Sequence, residues 1–413
     1  MGAPLKRTSA RHRVNEHLRE LERLADTAGA LVVGELMQAL DRPNPATYVG
    51  KGKLDEIRAM ILEKTATVVI FDDELSPAQG KNLEEELGKR VIDRAELILD
   101  IFAVRARSAE AKMQVELAQL NYSLPRLTRM WTHLEKFRGG IGVRGPGETQ
   151  LETDRRLVGQ RIKLLQDRLL DVTRSREVQR QSRKMVFRAS LVGYTNAGKS
   201  SILRSMSGGD DVFVEDRLFA TLDPLTREVA VGEHQYALLT DTVGFIRKLP
   251  HHLVASFRAT LEEVVEADLL LHVIDASHSM WEEQRTVVEQ VLADLGVGAT
   301  PVVHVFNKMD RLSPEEASGL RERMSNLLPD SVFVSAVGSA GMTELRETLL
   351  SRIQRTRPVV QLRVPAANGK LLAEIHRDGD VIETNSDPAT GDTLLSVRIN
   401  SALRGRLERE GVC

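Results

Sequence analysis

The sequence predicts a multidomain α/β protein, and three observations support that fold class. The chain has 413 residues, which is too long for one ordinary core, since single hydrophobic cores stop growing at about 250–300 residues. Strand-like and helix-like stretches alternate through the second half, beginning with a strand, a glycine-rich loop and a helix. A heptad pattern precedes that region and short strands follow it. We therefore expect an N-terminal α/β domain (1–107), an antiparallel helical arm (108–183), a central α/β domain (184–355) and a small C-terminal α+β module (356–413).

Composition excludes several classes of protein. Hydrophobic residues make up 42% and charged residues 28%, with a formal net charge of -2, so any contact with nucleic acid must be local. The single cysteine, Cys413, cannot form an intrachain disulfide and suits a reducing compartment. No apolar run reaches the roughly 18–20 residues of a membrane span. We expect a cytoplasmic protein without a membrane span, and leave peripheral contact with a membrane open.

The first 107 residues combine short apolar runs with helix-like stretches. TVVIF (67–71) and ELILDIFAV (96–104) alternate with segments such as KNLEEELGKR (81–90), a pattern typical of a small α/β domain. TYVGKGKLDEI (47–57) sets Gly50 and Gly52 among lysines. Such a run could cradle phosphate, but a basic turn before a helix explains it as well, because two glycines are too few to infer a nest.

Two heptad stretches predict a pair of long helices that face each other. The first comprises Met113, Leu117, Leu120, Leu124, Leu127, Trp131 and Leu134, and the second Leu151, Val158, Ile162, Leu165, Leu169 and Val172. Pro125 must kink the first helix or start a new one. A glycine-rich segment (137–147) joins the two stretches, and the basic run RSREVQRQSRKMVFR (174–188) follows as a charged connector.

A phosphate-binding loop follows the strand VFRASLV. GYTNAGKS fits the pattern G-x-x-x-x-G-K-S, and SILRSM continues it as a helix. Backbone N–H groups of such a loop hold phosphates, the lysine reaches the β and γ phosphates, and the serine ligates magnesium. The predicted nucleotide contacts here are Gly193, Tyr194, Thr195, Asn196, Ala197, Gly198, Lys199, Ser200 and Ser201.

Three further motifs complete the predicted nucleotide site, and one of them selects GTP. YALLTDTVGF ends a strand at Asp241, which can hold Mg²⁺ through water, and Gly244 offers an N–H to the γ phosphate. In PVVHVFNKMD the aspartate can accept hydrogen bonds from N1–H and the exocyclic amine of guanine, a donor pair that adenine lacks. SVFVSAV supplies backbone for the guanine oxygen. The contacts predicted on these motifs are Asp241, Thr242, Val243, Gly244, Asn307, Lys308, Asp310, Ser335 and Ala336.

The segment DRLFATLDPLTR (216–227) is the expected first switch. Its threonine closes on Mg²⁺ when the γ phosphate is bound, and Thr221 is preferred to Thr226. We expect Lys199, Thr221 and Gly244 to carry catalysis. Phe245 stands where small signalling GTPases keep a glutamine that orients water, so hydrolysis should need a group from a partner or another ion. Asn196 is a candidate K⁺ ligand, or a brace of the loop.

The motifs together resemble the HflX family of GTPases. RGPGETQLETDRR, GYTNAGKS, FATLDP, DTVGFI and NKMD occur in that family's order, with TYVGKGK near the N-terminal end, so the resemblance covers essentially the whole chain. It implies a multidomain P-loop GTPase that uses Mg²⁺, binds GTP and GDP, and docks on the large ribosomal subunit. It further implies GTP-dependent splitting of stalled or idle ribosomes under stress. Some members are credited with ATP binding by the N-terminal domain. We expect a monomer.

The glycine segment is then explained as the tip of the arm. Its G-x-G-x-x-G spacing at Gly140, Gly142 and Gly145 follows a helix, whereas a dinucleotide fingerprint needs a strand. Glycines keep the tip slim, and arginines supply charge for phosphates. The expected contacts with ribosomal RNA near the peptidyl-transferase region are Arg138, Gly139, Gly140, Arg144 and Gly145. A flexible surface loop with incidental arginines is the alternative.

Two other functions remain open from the sequence. A ribosome-assembly or RNA-modification GTPase would share every nucleotide motif. A metabolic phosphotransferase with the same loop is less favoured, because it needs neither guanine selection nor a switch.

Overall fold

The computed structural model describes residues 11–129, 146–181, 186–209, 215–232, 235–249, 258–356, 359–388, 390–399 and 407. The chain divides into two compact units. Unit 1 comprises Met1–Arg174, Glu215–Asp223 and Ile246–Leu261, and unit 2 comprises Ser175–Val214, Pro224–Phe245 and Glu262–Cys413. The fold is mixed α/β, as the sequence predicts. The part of the chain that is described contains no helix long and apolar enough to cross a membrane.

Unit 1 opens with a small α/β arrangement. Its elements are α1 (Arg11–Thr27), α2 (Lys51–Lys64), β1 (Val68–Phe71), α3 (Pro77–Leu87), β2 (Arg90–Asp93), α4 (Arg94–Arg105) and α5 (Ala109–Ser123). Strands β1 and β2 pair in parallel. Their core includes Val49, Leu54, Ile57, Phe71, Leu83 and Val91.

The apolar run 96–104 lies in helix α4, although its sequence pattern groups it with the run 67–71 and not with the helix-like stretches. Asp93 caps helix α4 by accepting a hydrogen bond from the Glu96 backbone N–H. Leu97, Ile98, Leu99, Ile101 and Phe102 are all buried. A helix surrounded by protein can be apolar on most sides, and period alone does not distinguish it from a buried strand.

Helices α5 and α6 (Pro146–Gln181) carry the two heptad stretches. Helix α5 ends at Ser123 and a 3-10 helix follows over Leu124–Arg129, as expected for a chain that meets Pro125. Trp131, Leu134 and the glycine segment as far as Gly145, including the tip residues and the G-x-G-x-x-G run, lie outside the described residues. The basic run 174–188 begins inside α6, which ends at Gln181, and residues 182–185 of the run are outside the described residues.

The heptad positions of α6 are its less exposed ones. Leu165 is fully buried and Val158, Ile162, Leu169 and Val172 are intermediate, while most residues between them are exposed. Arg161 of α6 donates to Glu116 of α5 at 2.6 and 2.9 Å. The stripe is therefore one-sided, as the sequence predicts.

Unit 2 is built on a six-stranded sheet in the order β4-β5-β3-β6-β7-β8. The strands are β3 (Phe187–Gly193), β4 (Leu225–Gly232), β5 (Gln235–Asp241), β6 (Leu269–Asp275), β7 (Val302–Asn307) and β8 (Ser331–Phe333). Only β4 of these six runs antiparallel to its neighbour. Four helices complete this sheet, namely α7 (Lys199–Ser207), α9 (Trp281–Asp294), α10 (Pro314–Leu327) and α11 (Met342–Thr356), while α8 (Arg258–Val265) spans the division between the units.

The C-terminal module is a three-stranded antiparallel sheet in the order β10-β11-β9. Its elements are β9 (Val359–Val364), α12 (Gly369–Asp378), β10 (Asp380–Ser386) and β11 (Thr393–Arg398), an α+β arrangement with short strands as the sequence predicts. Beyond residue 399 only Leu407 is described.

Leu345 tests how far the sheet of unit 2 depends on α11. Its side chain is fully buried in the main core, so Leu345→Ala should lower the free energy of unfolding by about 2–5 kcal/mol through lost contacts and the cavity left behind. Denaturant unfolding measures the effect.

The matched control is Leu327→Ala, since that side chain is 66% exposed and its loss should cost no more than about 0.5 kcal/mol. Equal losses for the two variants would show that α11 does not pack as described.

Candidate functional site

The predicted nucleotide residues meet at one edge of the unit 2 sheet. The Gly193–Ser201 loop follows β3, Asp241–Gly244 follows β5, Asn307–Asp310 follows β7 and Ser335–Ala336 follows β8. The chain continues from β3 to β4 and β5 on one side of the sheet, and from β6 to β7 and β8 on the other. Ligands of open α/β sheets bind at the point between two such neighbouring strands.

Close packing explains the glycines of the phosphate-loop motif. A Cβ at Gly193 would lie 2.3 Å from the Val273 carbonyl oxygen, and one at Gly198 would lie 2.1 Å from Asn307 Nδ2. Gly198 also has a φ of 97°, a conformation that glycine adopts without strain. Larger residues at either position would displace the loop.

Asn307 ties three of the motifs together. Its side-chain amide donates to the Ala197 carbonyl at 2.9 Å, and its side-chain oxygen accepts the Ala336 backbone N–H at 3.1 Å. The residue is 2% exposed. Asn307 was predicted to contact nucleotide, whereas its described contacts brace the loops on either side.

The segment after β5 pairs with the phosphate loop through its backbone. Thr195 N–H donates to the Phe245 carbonyl at 2.7 Å, and Phe245 N–H donates to the Gly193 carbonyl at 3.0 Å. A Cβ at Gly244 would lie 2.6 Å from Thr195 Cα and 3.1 Å from Lys199 Nζ. Phe245 itself is 1% exposed, so its ring belongs to the interior.

Lys199 and Ser200 begin α7 beside Asp241. Lys199 Nζ donates to the carbonyls of Tyr194 at 3.0 Å and Gly193 at 3.3 Å. Burial lowers the pKa of Lys199 to about 8, an effect that the Asp241 carboxylate partly offsets. The Ser200 hydroxyl donates to Asp241 Oδ2 at 2.6 Å. A cation and two oxygen groups are thus concentrated at the N-terminus of a helix.

Asp310 is exposed at the edge of the same sheet. The Ser335 hydroxyl donates to its carboxylate, and Lys308 pairs with Asp275 at 2.8 Å. Of the threonines considered for the first switch, Thr226 lies in β4, where its hydroxyl is 2.9 Å from that of Thr240. Thr221 lies in the Glu215–Asp223 segment of unit 1. Asn196 has a φ of 61°.

The first switch segment is anchored in unit 1. Glu215 pairs with Arg105 at 2.7 Å. The Asp223 carboxylate accepts the backbone N–H groups of Arg107 and Ser108, at 3.0 and 3.2 Å. The ring of Phe219, 1% exposed, packs edge-on against Phe102 with centroids 4.7 Å apart.

The segment that follows Gly244 and Phe245 in the chain is anchored in unit 1 by Asp72. This carboxylate accepts hydrogen bonds from Arg94 at 2.8 Å, from Arg247 at 3.1 Å and from Lys248 at 2.9 Å. Burial alone would raise the pKa of Asp72, but the three cations hold it well below its usual range. Glu20 pairs with both arginines.

Sequence reasoning missed this buried ion cluster. Asp72 follows the apolar run at 67–71, and Arg247 and Lys248 follow DTVGFI directly. Charges next to apolar strands were the available signal, but pairing over 175 positions cannot be read from one sequence.

In the N-terminal part, Gly50 is the N-cap of α2, which begins at Lys51. The run TYVGKGK therefore leads directly into a helix, which is compatible with both interpretations of it.

Family models match most of the chain. A model described as GTP-binding GTPase N-terminal matches residues 15–103, one described as GTP-binding GTPase Middle Region matches 105–183, and one described as 50S ribosome-binding GTPase matches 188–308.

Curated relatives match over nearly their full length. The GTPase HflX of Caldanaerobacter subterraneus is 46% identical over 90% of this chain and 85% of its own. The GTPase HflX of Magnetococcus marinus is 44% identical over 96% and 91%, and that of Escherichia coli K12 is 45% identical over 93% and 90%.

Among solved structures, a GTP-binding protein from Sulfolobus solfataricus in complex with GDP is 26% identical, covers 86% of this chain and 99% of its own, and has a TM-score of 0.45. Identity above 40% across nearly the full length of the curated relatives shows that the chain belongs to the GTPase HflX family and is a GTP-hydrolysing enzyme.

Proposed function

We propose that this GTPase docks on the large ribosomal subunit in its GTP form, splits stalled or idle ribosomes under stress, and leaves when GTP is hydrolysed. The observation that supports the proposal is that residues of the first switch segment and those after Phe245 contact N-terminal residues within unit 1. Glu215 pairs with Arg105, and Arg247 donates to Asp72. Switches of GTPases rearrange with the γ phosphate, so exchange of the nucleotide would alter these contacts. The ribosomal target is supported by the model described as 50S ribosome-binding GTPase.

The nucleotide would bind along the edge of the sheet that carries the four motifs. Backbone N–H groups of the phosphate loop and the Lys199 ammonium would hold the β and γ phosphates. Phosphate charge would favour the protonated amine and so counteract the burial that lowers the pKa of Lys199 to about 8. The Asp310 carboxylate would select guanine. Asn307 would act by bracing the loops.

The residues near the phosphate loop suit Mg²⁺. Magnesium prefers oxygen ligands and keeps several waters. Ser200 Oγ and Asp241 Oδ2 are 2.6 Å apart, so one ion could be held by the hydroxyl directly and by the carboxylate through water. Thr221 would complete the set when the first switch closes. Mg²⁺ would neutralise phosphate charge in the transition state.

Hydrolysis by the chain alone should be slow. Phe245 has no hydrogen-bonding group and its ring is buried, so it cannot orient the attacking water. The missing group would come from the ribosome, or from K⁺ held by Asn196.

A ribosome-assembly or RNA-modification GTPase remains the second candidate, because it would use the same nucleotide site. Binding to immature subunits, without effect on assembled ribosomes, would favour it.

Asp310→Asn should exchange GTP for xanthosine triphosphate. An amide accepts from the N1–H of guanine but cannot accept from the exocyclic amine, whereas it can donate to the oxygen that xanthine has there. GTP affinity should fall about 10- to 150-fold, because the lost hydrogen bond to a charged group contributes about 1.5–3 kcal/mol. Fluorescent-nucleotide titration measures both affinities.

Glu315→Gln, an exposed change on α10, should leave both affinities unchanged. Unaltered GTP preference in Asp310→Asn would remove Asp310 from the base site.

Asp72→Ala should destabilise unit 1 by about 3–5 kcal/mol, because it leaves Arg94 and Arg247 buried without their shared carboxylate. Denaturant unfolding measures the loss.

The neighbouring Asp73→Ala is the control, since Asp73 pairs with the half-exposed Lys248 alone among the cations of the cluster. It should cost about 1 kcal/mol or less. If the two variants lose the same stability, Asp72 does not hold the segment that contains Arg247 and Lys248 in place.

The arm tip should matter for splitting and not for basal hydrolysis. Replacing Arg138 and Arg144 with alanine removes two phosphate-binding charges, so the rate of ribosome splitting, followed by light scattering, should fall about tenfold. GTP turnover without ribosomes should stay the same. Lys370→Ala with Arg377→Ala, two exposed basic residues of α12, is the charge-matched control.

Equal loss of splitting and basal turnover would remove the tip as a contact. The ribosomal proposal itself fails if the protein with a non-hydrolysable GTP analogue does not co-sediment with large subunits.

A further inference from the structure

Two histidines lie side by side in the middle of the unit 2 sheet. His272 of β6 and His304 of β7 are register partners on adjacent parallel strands, so their side chains lie on the same face. Their ring centroids are 5.7 Å apart. Helix α9 packs against β6 and carries Glu289. These three residues form what we term the His–His–Glu cluster.

His272 is buried and His304 partly buried, and three of their four ring nitrogens are buried without a hydrogen-bond partner among the described residues. His272 is 1% exposed, and neither of its ring nitrogens has a partner within the described part of the chain; the same holds for His304 Nδ1. Burying such a polar group unpaired costs about 1–3 kcal/mol. Because this cost arises at two adjacent rings, a bound metal ion that accepts the nitrogen lone pairs would remove it.

Glu289 supplies a third ligand at a suitable distance. Its Oε1 is 3.9 Å from His304 Nε2, and one ligand atom from each of the three residues lies within 4.8 Å of the others. Ligands of a tetrahedral Zn²⁺ with bonds of about 2.0–2.2 Å stand about 3.4 Å apart. The Glu289 side chain is 44% exposed and free to turn inward by the remaining distance.

Arg285 is the charge that opposes a cation here. Its Nε lies 3.3 Å from Glu289 Oε1 on the same helix. An incoming ion would have to take the carboxylate from this guanidinium, whose side chain is 27% exposed although its Nε is buried. This competition, together with the positive charge of Lys199 that also acts on His272, lowers the affinity that we expect for a cation.

We propose that the His–His–Glu cluster is a Zn²⁺ site that ties helix α9 to strands β6 and β7. Imidazole nitrogen is a ligand of borderline softness that suits zinc, and two histidines with one carboxylate form a common zinc ligand set, whereas Mg²⁺ and Ca²⁺ prefer sites made of oxygen alone. The ion would stabilise the half of the sheet that ends at Asp275 and Asn307. It is separate from the Mg²⁺ position beside Ser200 and Asp241.

Zinc-dependent thermal stability tests the proposal. The full chain, carrying Cys413→Ser so that its one thiol cannot compete, is stripped with a chelator and held in Mg²⁺ and GDP to occupy the nucleotide site. Zinc at about a hundredfold excess over its Kd should raise Tm by about 5–10 °C. Glu289→Gln should abolish most of the rise, while Asp294→Asn, an exposed acid on the same helix, should keep it.

Cobalt substitution gives an independent readout, because tetrahedral Co²⁺ with nitrogen ligands absorbs visible light strongly. The band should appear with the parent chain and vanish in His304→Gln. If that variant does not fold, Glu289→Gln decides, since the change is near the surface. Absence of both the Tm rise and the band, or an equal rise in Glu289→Gln, would overturn the proposal and leave a neutral buried histidine pair.

Discussion

The hydrogen bonds of the buried Asn307 amide are the interaction on which the candidate nucleotide site depends. Through its donation to Ala197 and acceptance from Ala336, the loops that follow three different strands become one surface. A side-chain amide suits this position because it donates and accepts at once. The space it fills also explains Gly198, where a Cβ would collide with the amide nitrogen. Motif residues that are far apart along the sequence are therefore in direct contact, and a change in any of them disturbs the others.

The common sheet edge on which the four motifs lie was predictable from the sequence, because each motif follows an apolar strand and the carboxyl ends of parallel strands share an edge. The strands of the C-terminal module were predictable because short apolar runs mark them. The helix at 96–104 was not, since a buried helix loses the amphipathic period that identifies it. Nor was the full length of α6, where a basic run looked like a connector although arginine and glutamine are good helix formers.

Long-range ionic contacts show where one sequence stops being informative. Asp72, Arg94 and Arg247 look ordinary along the chain, and only the fold brings them together. Unlike an apolar contact, this cluster is stable only when every partner is present, because removing one leaves a buried charge without its counter-charge. Such an arrangement favours a defined position for the segment after Phe245 over a range of positions. A switch needs that property, since two discrete states respond to nucleotide more sharply than a continuum does.

Two buried polar residues of unit 2, Asn307 and His272, differ in whether their neighbours supply hydrogen bonds. Asn307 has its hydrogen bonds supplied by neighbouring loops, so its burial specifies a structure. His272 lies one strand away with no such partners in the described residues, so its burial specifies nothing unless an ion is bound. An apolar residue would pack there at lower cost. That a second histidine lies in register beside it, with a carboxylate on the covering helix, makes metal coordination the physical role that accounts for all three side chains together.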